Sequence, residues 1–163
     1  MRSLVLLLAF VVTACGFTPM YSANNDTGSN VSATLDQVAI GIIPDREGQY
    51  LRNALIDQFY TNGAPSTPQY QLSVTPVRET ISDFDITVDS EATRRQLKLT
   101  TSMSLVDLNS NQKILSRTLT ATTSNNVLQS EFSTLVAERS AREAALNDLA
   151  RQIEQQIVLY LSR

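Results

Sequence analysis

The chain reads as an α+β domain: two helices packed on one face of a roughly four-stranded sheet. Three observations predict it. Apolar and polar residues alternate through the middle of the chain. Two stretches, one near each end of that region, instead place apolar residues three and four apart, as amphipathic helices do. The resulting order of strand, helix, three or more strands, helix lets both helices bury their stripes on the same side of a sheet. No longer segment recurs at a fixed period, so the chain is not a repeat protein.

The segment "LDQVAIGII", Leu35 to Ile43, predicts the first strand, apolar in its second half as a strand covered on both faces would be. Pro44 ends it, and Asp45 is placed to cap a helix over "REGQYLRNALIDQFY". Leu51, Leu55 and Phe59 share one face of that helix, with Ile56 beside them and Arg52, Asn53 and Asp57 elsewhere. Asn62-Gly63 stops it. Tyr70, Leu72 and Val74 then alternate with Gln71, Ser73 and Thr75. Pro76 lacks an amide donor, which predicts an edge or a bulge there. Phe84, Ile86 and Val88 alternate in "FDITVD", with aspartates opposite. Leu97, Leu99, Met103 and Leu105 continue the rule in "QLKLTTSMSLVDL", and the turn "NSNQ" connects to "KILSRTLTATT" as a hairpin. Leu115, Leu119 and Ala121 form the inner side of that last strand. Arg117 falls in the same register, which a bulge or an exit at the strand end would accommodate.

From Ser130 the period becomes helical. Leu135, Leu146, Leu149, Ile153, Ile157 and Leu161 form one stripe, Ser130 is placed to cap it, and Glu138 with Arg142 make an i,i+4 pair. A helix of ~30 residues would run ~45 Å, long enough that a break near Ser140 is considered.

The amino terminus belongs to another class of signal. Arg2 precedes the apolar run Leu4 to Val12, and small residues lead to Cys15, the only cysteine of the 163 residues. That is a secretory signal peptide, too short for the ~20 apolar residues that span a bilayer. Val12-Thr13-Ala14-Cys15 resembles the bacterial lipobox, in which the thiol is acylated and the chain is cut before it. A disulfide would need a second Cys, and a nucleophile would want a His, of which there is none. The expected organisation is a signal peptide over residues 1–14, a lipidated amino terminus and polar tether over 15–33, and one domain over 34–163. Gly16 rather than Asp after the cysteine points, by resemblance to bacterial sorting rules, to the outer membrane. Cleavage removes Arg2, taking the net charge from −3 to −4, which argues against a nucleic-acid partner.

Little in the chain carries chemistry. Without His or a second Cys the usual zinc and triad arrangements are out. The five glycines make no phosphate-cradling loop, and the pairs Asp83/Asp85 and Asp85/Asp89 read as a solvated strand face. No enzyme activity and no cofactor are expected. One basic cluster, Arg94, Arg95 and Lys98 in "TRRQLK", suits a phosphate-bearing head group, and suits equally a solvated strand end, with Glu91 close enough to neutralise part of it. Lys113 and Arg117 would join it only if the hairpin brought them near. The Thr-rich "TLTATTSNNV" suits a strand, a sheet edge that joins a partner's strand, or a polar barrel lumen.

Taken together, "ACGFTPMY", "ATRRQLKL" and "EFSTLVAERSAREAALNDLARQIEQQIVLYL" resemble, in order and spacing, the lipopolysaccharide-assembly lipoproteins of the LptE family in their alphaproteobacterial form. The chain departs at Ser124-Asn125-Asn126, where the family often has a Tyr. The resemblance implies an outer-membrane lipoprotein, anchored at Cys15, that plugs and helps assemble the LptD β-barrel and assists lipopolysaccharide delivery to the outer leaflet. Arg94, Arg95 and Lys98 are the candidate lipopolysaccharide contacts. An auxiliary lipoprotein adaptor of a lipid-transport ABC system is the alternative, and a structural envelope lipoprotein without a client the third reading.

Overall fold

A computed structural model describes residues 35–60, 63–86, 92–126 and 130–162, all within one compact unit. The expected signal peptide, Cys15 and the tether lie outside the described residues, as do Asn62, Val88, Asp89 and Glu91. The elements are β1 (Val38–Ile40), α1 (Asp45–Phe59), β2 (Tyr70–Val74), β3 (Arg78–Ile86), β4 (Ala92–Asp107), β5 (Gln112–Asn126) and α2 (Glu131–Leu161).

The long strand β4 is the spine of the sheet. On one side β5 pairs with it antiparallel, from Arg94↔Asn126 to Asp107↔Gln112. On its other side two strands lie end to end: β3 against its first half and β2 against its second. β1 adds parallel to β2, since α1 carries the chain back between them. The sheet therefore has five strands, but only four lanes at its wide end and three at its narrow end. The interruption between β2 and β3 falls at Pro76, whose missing N–H cannot sustain a ladder. Thr75 stitches the gap: its N–H donates to the Ser102 carbonyl at 2.9 Å. The hydroxyl of buried Thr101 donates to the Thr75 carbonyl at 2.7 Å.

Strand alternation sends Leu72, Val74, Leu97, Leu99, Met103, Leu105, Leu115, Leu119 and Ala121 to one side, where all are buried. The helices cover that side with Leu51, Leu55 and Phe59 of α1 and Leu146, Leu149, Ile153 and Ile157 of α2. β1 is short, and its outer edge is closed by side chains. The Tyr60 hydroxyl donates to the Val38 carbonyl at 2.9 Å and accepts from the Ile40 N–H at 3.1 Å. Arg52 Nε donates to the Gly41 carbonyl at 3.1 Å. Burial pushes the Tyr60 phenol above its ordinary pKa, partly offset by the hydrogen bond from Ile40.

Several sequence expectations change. The first strand is only three residues long and Ile42 is exposed, because β2 offers pairing to Val38–Ile40 alone. Asp45 does not cap α1: it is the first helical residue, at a φ of 68°, with no side-chain cap before it. Its carboxylate and that of Glu47 instead lie in the first turn, where the helix dipole favours negative charge. β3 begins at Arg78, well before "FDITVD", because its ladder with β4 outweighs a polar sequence. α2 runs unbroken past Ser140 for 31 residues, and the Ser130 hydroxyl caps it by accepting from the Ser133 N–H. Leu135 is not part of the core. It is 59% exposed, because α2, at ~46 Å, outruns α1, at ~22 Å, and no described residue buries that end of the stripe. Glu138 and Arg142 do not pair with each other; both reach the sheet instead. The bulge in β5 sits beside Leu105/Val106 rather than at Arg117. Arg117 pairs in register with Met103 on the outermost strand, so its guanidinium reaches solvent past the edge and donates to the Ser116 carbonyl at 3.0 Å.

Candidate functional site: the open face of the sheet

Alternation along β4 divides the basic cluster. Arg94 and Lys98 project from the face the helices leave open, with Gln96, Thr100, Ser102 and Ser104 between and beyond them, and both are exposed. Arg95 projects from the opposite face, on the helix side with Leu97 and Leu99. There it is half-buried: Nε donates to Asp83 Oδ1 at 2.9 Å, and Nη1 donates to Glu138 Oε1. Hydrogen bonding to Asp83, then to Glu138, raises the Arg95 pKa despite some desolvation. Asp83 thus meets a cation on the helix side while staying half exposed, and Arg95 joins β3, β4 and α2.

A second clasp lies beside it. Arg142 of α2 forks onto Glu79 of β3, with Nε at 2.7 Å and Nη2 at 2.8 Å. The Arg142 hydrogen bonds hold the Glu79 carboxyl below its ordinary range, against some desolvation, and the Arg142 guanidinium is raised in return. The Thr123 hydroxyl adds a bond to the Ala141 carbonyl at 3.1 Å. These polar contacts do much of the holding here, because residues 131–144 of α2 contribute no buried side chain. Glu79 has a depressed folded-state pKa, so its contribution is complete above the unfolded value of ~4.3 and fades as pH falls through the folded value. Urea unfolding from pH 7 to pH 3 is therefore expected to show a loss of stability beginning near pH 4.5. That loss shrinks in Glu79→Gln, which lowers stability by roughly 1 kcal/mol at neutral pH.

Strand pairing adds a cation that sequence reasoning missed. Arg78 lies opposite Thr100 and Thr80 opposite Lys98, so Arg78 shares the open face and is a diagonal neighbour of Lys98. Nothing local in "PVRET" announces this; only the register does. Lys113 pairs with Val106 at the far end of the sheet and Arg117 lies on the helix side, so neither joins Lys98. Hydroxyl pairs line the rest of the face: Thr100 with Thr120 at 3.3 Å and Ser102 with Thr118 at 3.0 Å. The Thr-rich strand is thus half of this polar surface. Among the described residues no carboxylate projects from it, since Glu79 and Asp83 both face the helices.

On the other side of the molecule, α1 and the overhanging end of α2 border a cleft of 560 Å³ lined by Arg46, Tyr50, Asn53, Leu135, Arg139 and Leu146, among others. Phe132 and Val136 are also exposed there on α2. Among the described residues no group of His, Cys, Asp and Glu is placed to hold a metal ion. No described helix is long and apolar enough to cross a membrane.

Comparison with known proteins places this geometry in context. The model of a family described as LptE, lipopolysaccharide-assembly, matches residues 35–161. A lipoprotein of Caulobacter crescentus CB15 has the same fold, with a TM-score of 0.62 over 82% of this chain and 97% of that chain, at 17% identity. A minor lipoprotein of Acinetobacter baumannii gives 0.61 over 76% and 91%, at 24% identity. Lipoprotein B of Nitrosomonas europaea gives 0.60 over 77% and 83%, at 15% identity. At those identities the likeness is one of fold. No curated protein sequence matches the chain.

Proposed function

The chain belongs to the LptE lipopolysaccharide-assembly family, and from that premise we propose that it is a non-catalytic outer-membrane lipoprotein that plugs and helps assemble an LptD-like β-barrel and assists lipopolysaccharide delivery to the outer leaflet. The match over residues 35–161 carries this reading, because it spans every element of the two-layer domain. The anchor is Cys15, acylated after removal of residues 1–14, with residues 15–33 as the tether. The open sheet face supports the same reading: hydroxyls and amides suit a wet lumen wall, and Arg94 and Lys98 suit phosphates. Arg95, held by Asp83 and Glu138, serves by keeping β4 in place beneath them.

Pull-down of the full chain in mild detergent, with partners identified by mass, tests the proposal. A large outer-membrane β-barrel is expected with the wild-type chain, and Cys15→Ala is expected to leave the membrane fraction. Recovery of inner-membrane transport components in place of the barrel would favour an ABC-system adaptor and defeat the reading.

A further inference from the structure

We propose that Arg78 completes a three-cation row with Lys98 and Arg94, and that this row binds a glycolipid head group carrying two phosphates in preference to one carrying a single phosphate. The inference rests on the lipopolysaccharide reading and deepens it by naming the feature of the head group that is read. Three observations carry it. Arg78 stands opposite Thr100 and Lys98 opposite Thr80, so Arg78 and Lys98 are diagonal neighbours, ~7 Å apart at their backbones. Arg94 follows four residues from Lys98 along the same face, ~13 Å away, so the row extends over ~20 Å. No carboxylate of the described residues shares that face, while Arg95, Arg139, Arg142 and Arg151 are all paired with acids elsewhere. Among the described residues, most guanidinium groups near the helices are thus matched by acids, whereas Arg78, Lys98 and Arg94 face no described carboxylate on the open side.

A single phosphate reaches one end of such a row. Two phosphates on a rigid saccharide meet cations at both ends, and the second contact is made without a second loss of translational freedom. Thr80 opposite Lys98, and Ser82 opposite Gln96, lie between the two ends and can accept from or donate to sugar hydroxyls.

The test is binding of the full chain, in mild detergent, to bisphosphorylated and monophosphorylated lipid A, with inorganic phosphate as competitor. Wild type is expected to prefer the bisphosphorylated form. Arg78→Ala is expected to weaken it roughly three- to ten-fold, to narrow the preference, and to leave thermal unfolding unchanged, since Arg78 is exposed. Arg117→Ala, which removes an exposed cation from the other side, is expected to change nothing. Equal losses in Arg78→Ala and Arg117→Ala would reduce the effect to net charge and overturn the proposal. So would an Arg78→Ala chain that binds as wild type while Arg94→Ala/Lys98→Ala loses binding, a result that leaves the lipopolysaccharide reading standing. If wild type binds neither lipid A while Arg78→Ala loses the barrel in pull-down, the face belongs to the barrel wall and the proposal fails. Displacement by millimolar inorganic phosphate would also overturn it, because a two-point head group should outcompete a single free anion.

Discussion

Replacing Phe59 with alanine is expected to destabilise the domain by about 3–5 kcal/mol, the cost of emptying a large core site. Phe59 is 1% exposed and heads the fully buried side chains by volume. It is also the only aromatic ring in the described core. A Leu or Ile at the core rim can be compensated by small shifts, but a ring at the last turn of α1 is held by the clasp that follows it. Tyr60 anchors to Val38 and Ile40, so the chain cannot move inward to fill the space without giving up those bonds. Urea titration followed by circular dichroism measures the effect, and a loss under 1 kcal/mol would contradict the packing described. The Tm is expected to fall by roughly 10–20 °C.

The second expectation runs against helix propensity. Alanine normally stabilises a helix over glycine by up to ~1 kcal/mol. Gly48 lies in the first turn of α1, is buried, and allows the helix to begin directly under the incoming chain. A methyl group there would stand 2.8 Å from Ile43 Cγ2 and 2.9 Å from the Ile43 carbonyl oxygen. The first contact is with a side chain, but the second is with backbone, and Ile43 is itself 1% exposed with Pro44 behind it. Gly48→Ala is therefore expected to lower stability by about 1–3 kcal/mol, as overpacking does. A chain of unchanged or higher stability in the same titration would show that the loop before α1 yields freely.

Much of the architecture was legible before any coordinates. The buried faces of α1 and of β2, β4 and β5 follow from spacing, because each residue's neighbours along the chain set its face once the element is known. The legible parts fail where a face is built from ion pairs. β3 presents Glu79 and Asp83 to the helix side, so its alternation is hidden; Asp83 is solvated as its sequence suggested, at 51% exposed, but it also meets Arg95. The guanidinium groups that make this face habitable come from β4 and from α2, more than ten residues away in sequence. The same hidden partnership removed Arg95 from the basic cluster and sent Glu138 and Arg142 to the sheet rather than to each other. Leu135 failed for a different reason. Its position on the stripe was right, but periodicity says nothing about where the neighbouring helix ends.

By itself the sequence determined the period of each element, the polar character of one sheet face, the expectation of a lipid anchor at Cys15 and, through family membership, the class of process served. Those properties are local or compositional, carried by residues a few positions apart. Only the tertiary structure decided which cations share a surface. Register across strands is set by the fit of whole hydrophobic faces, and a shift of one residue would exchange Arg94 for Arg95 between solvent and helix. That choice left Arg78, Lys98 and Arg94 together on a face from which no described carboxylate projects, and placed Arg95 against Asp83 and Glu138.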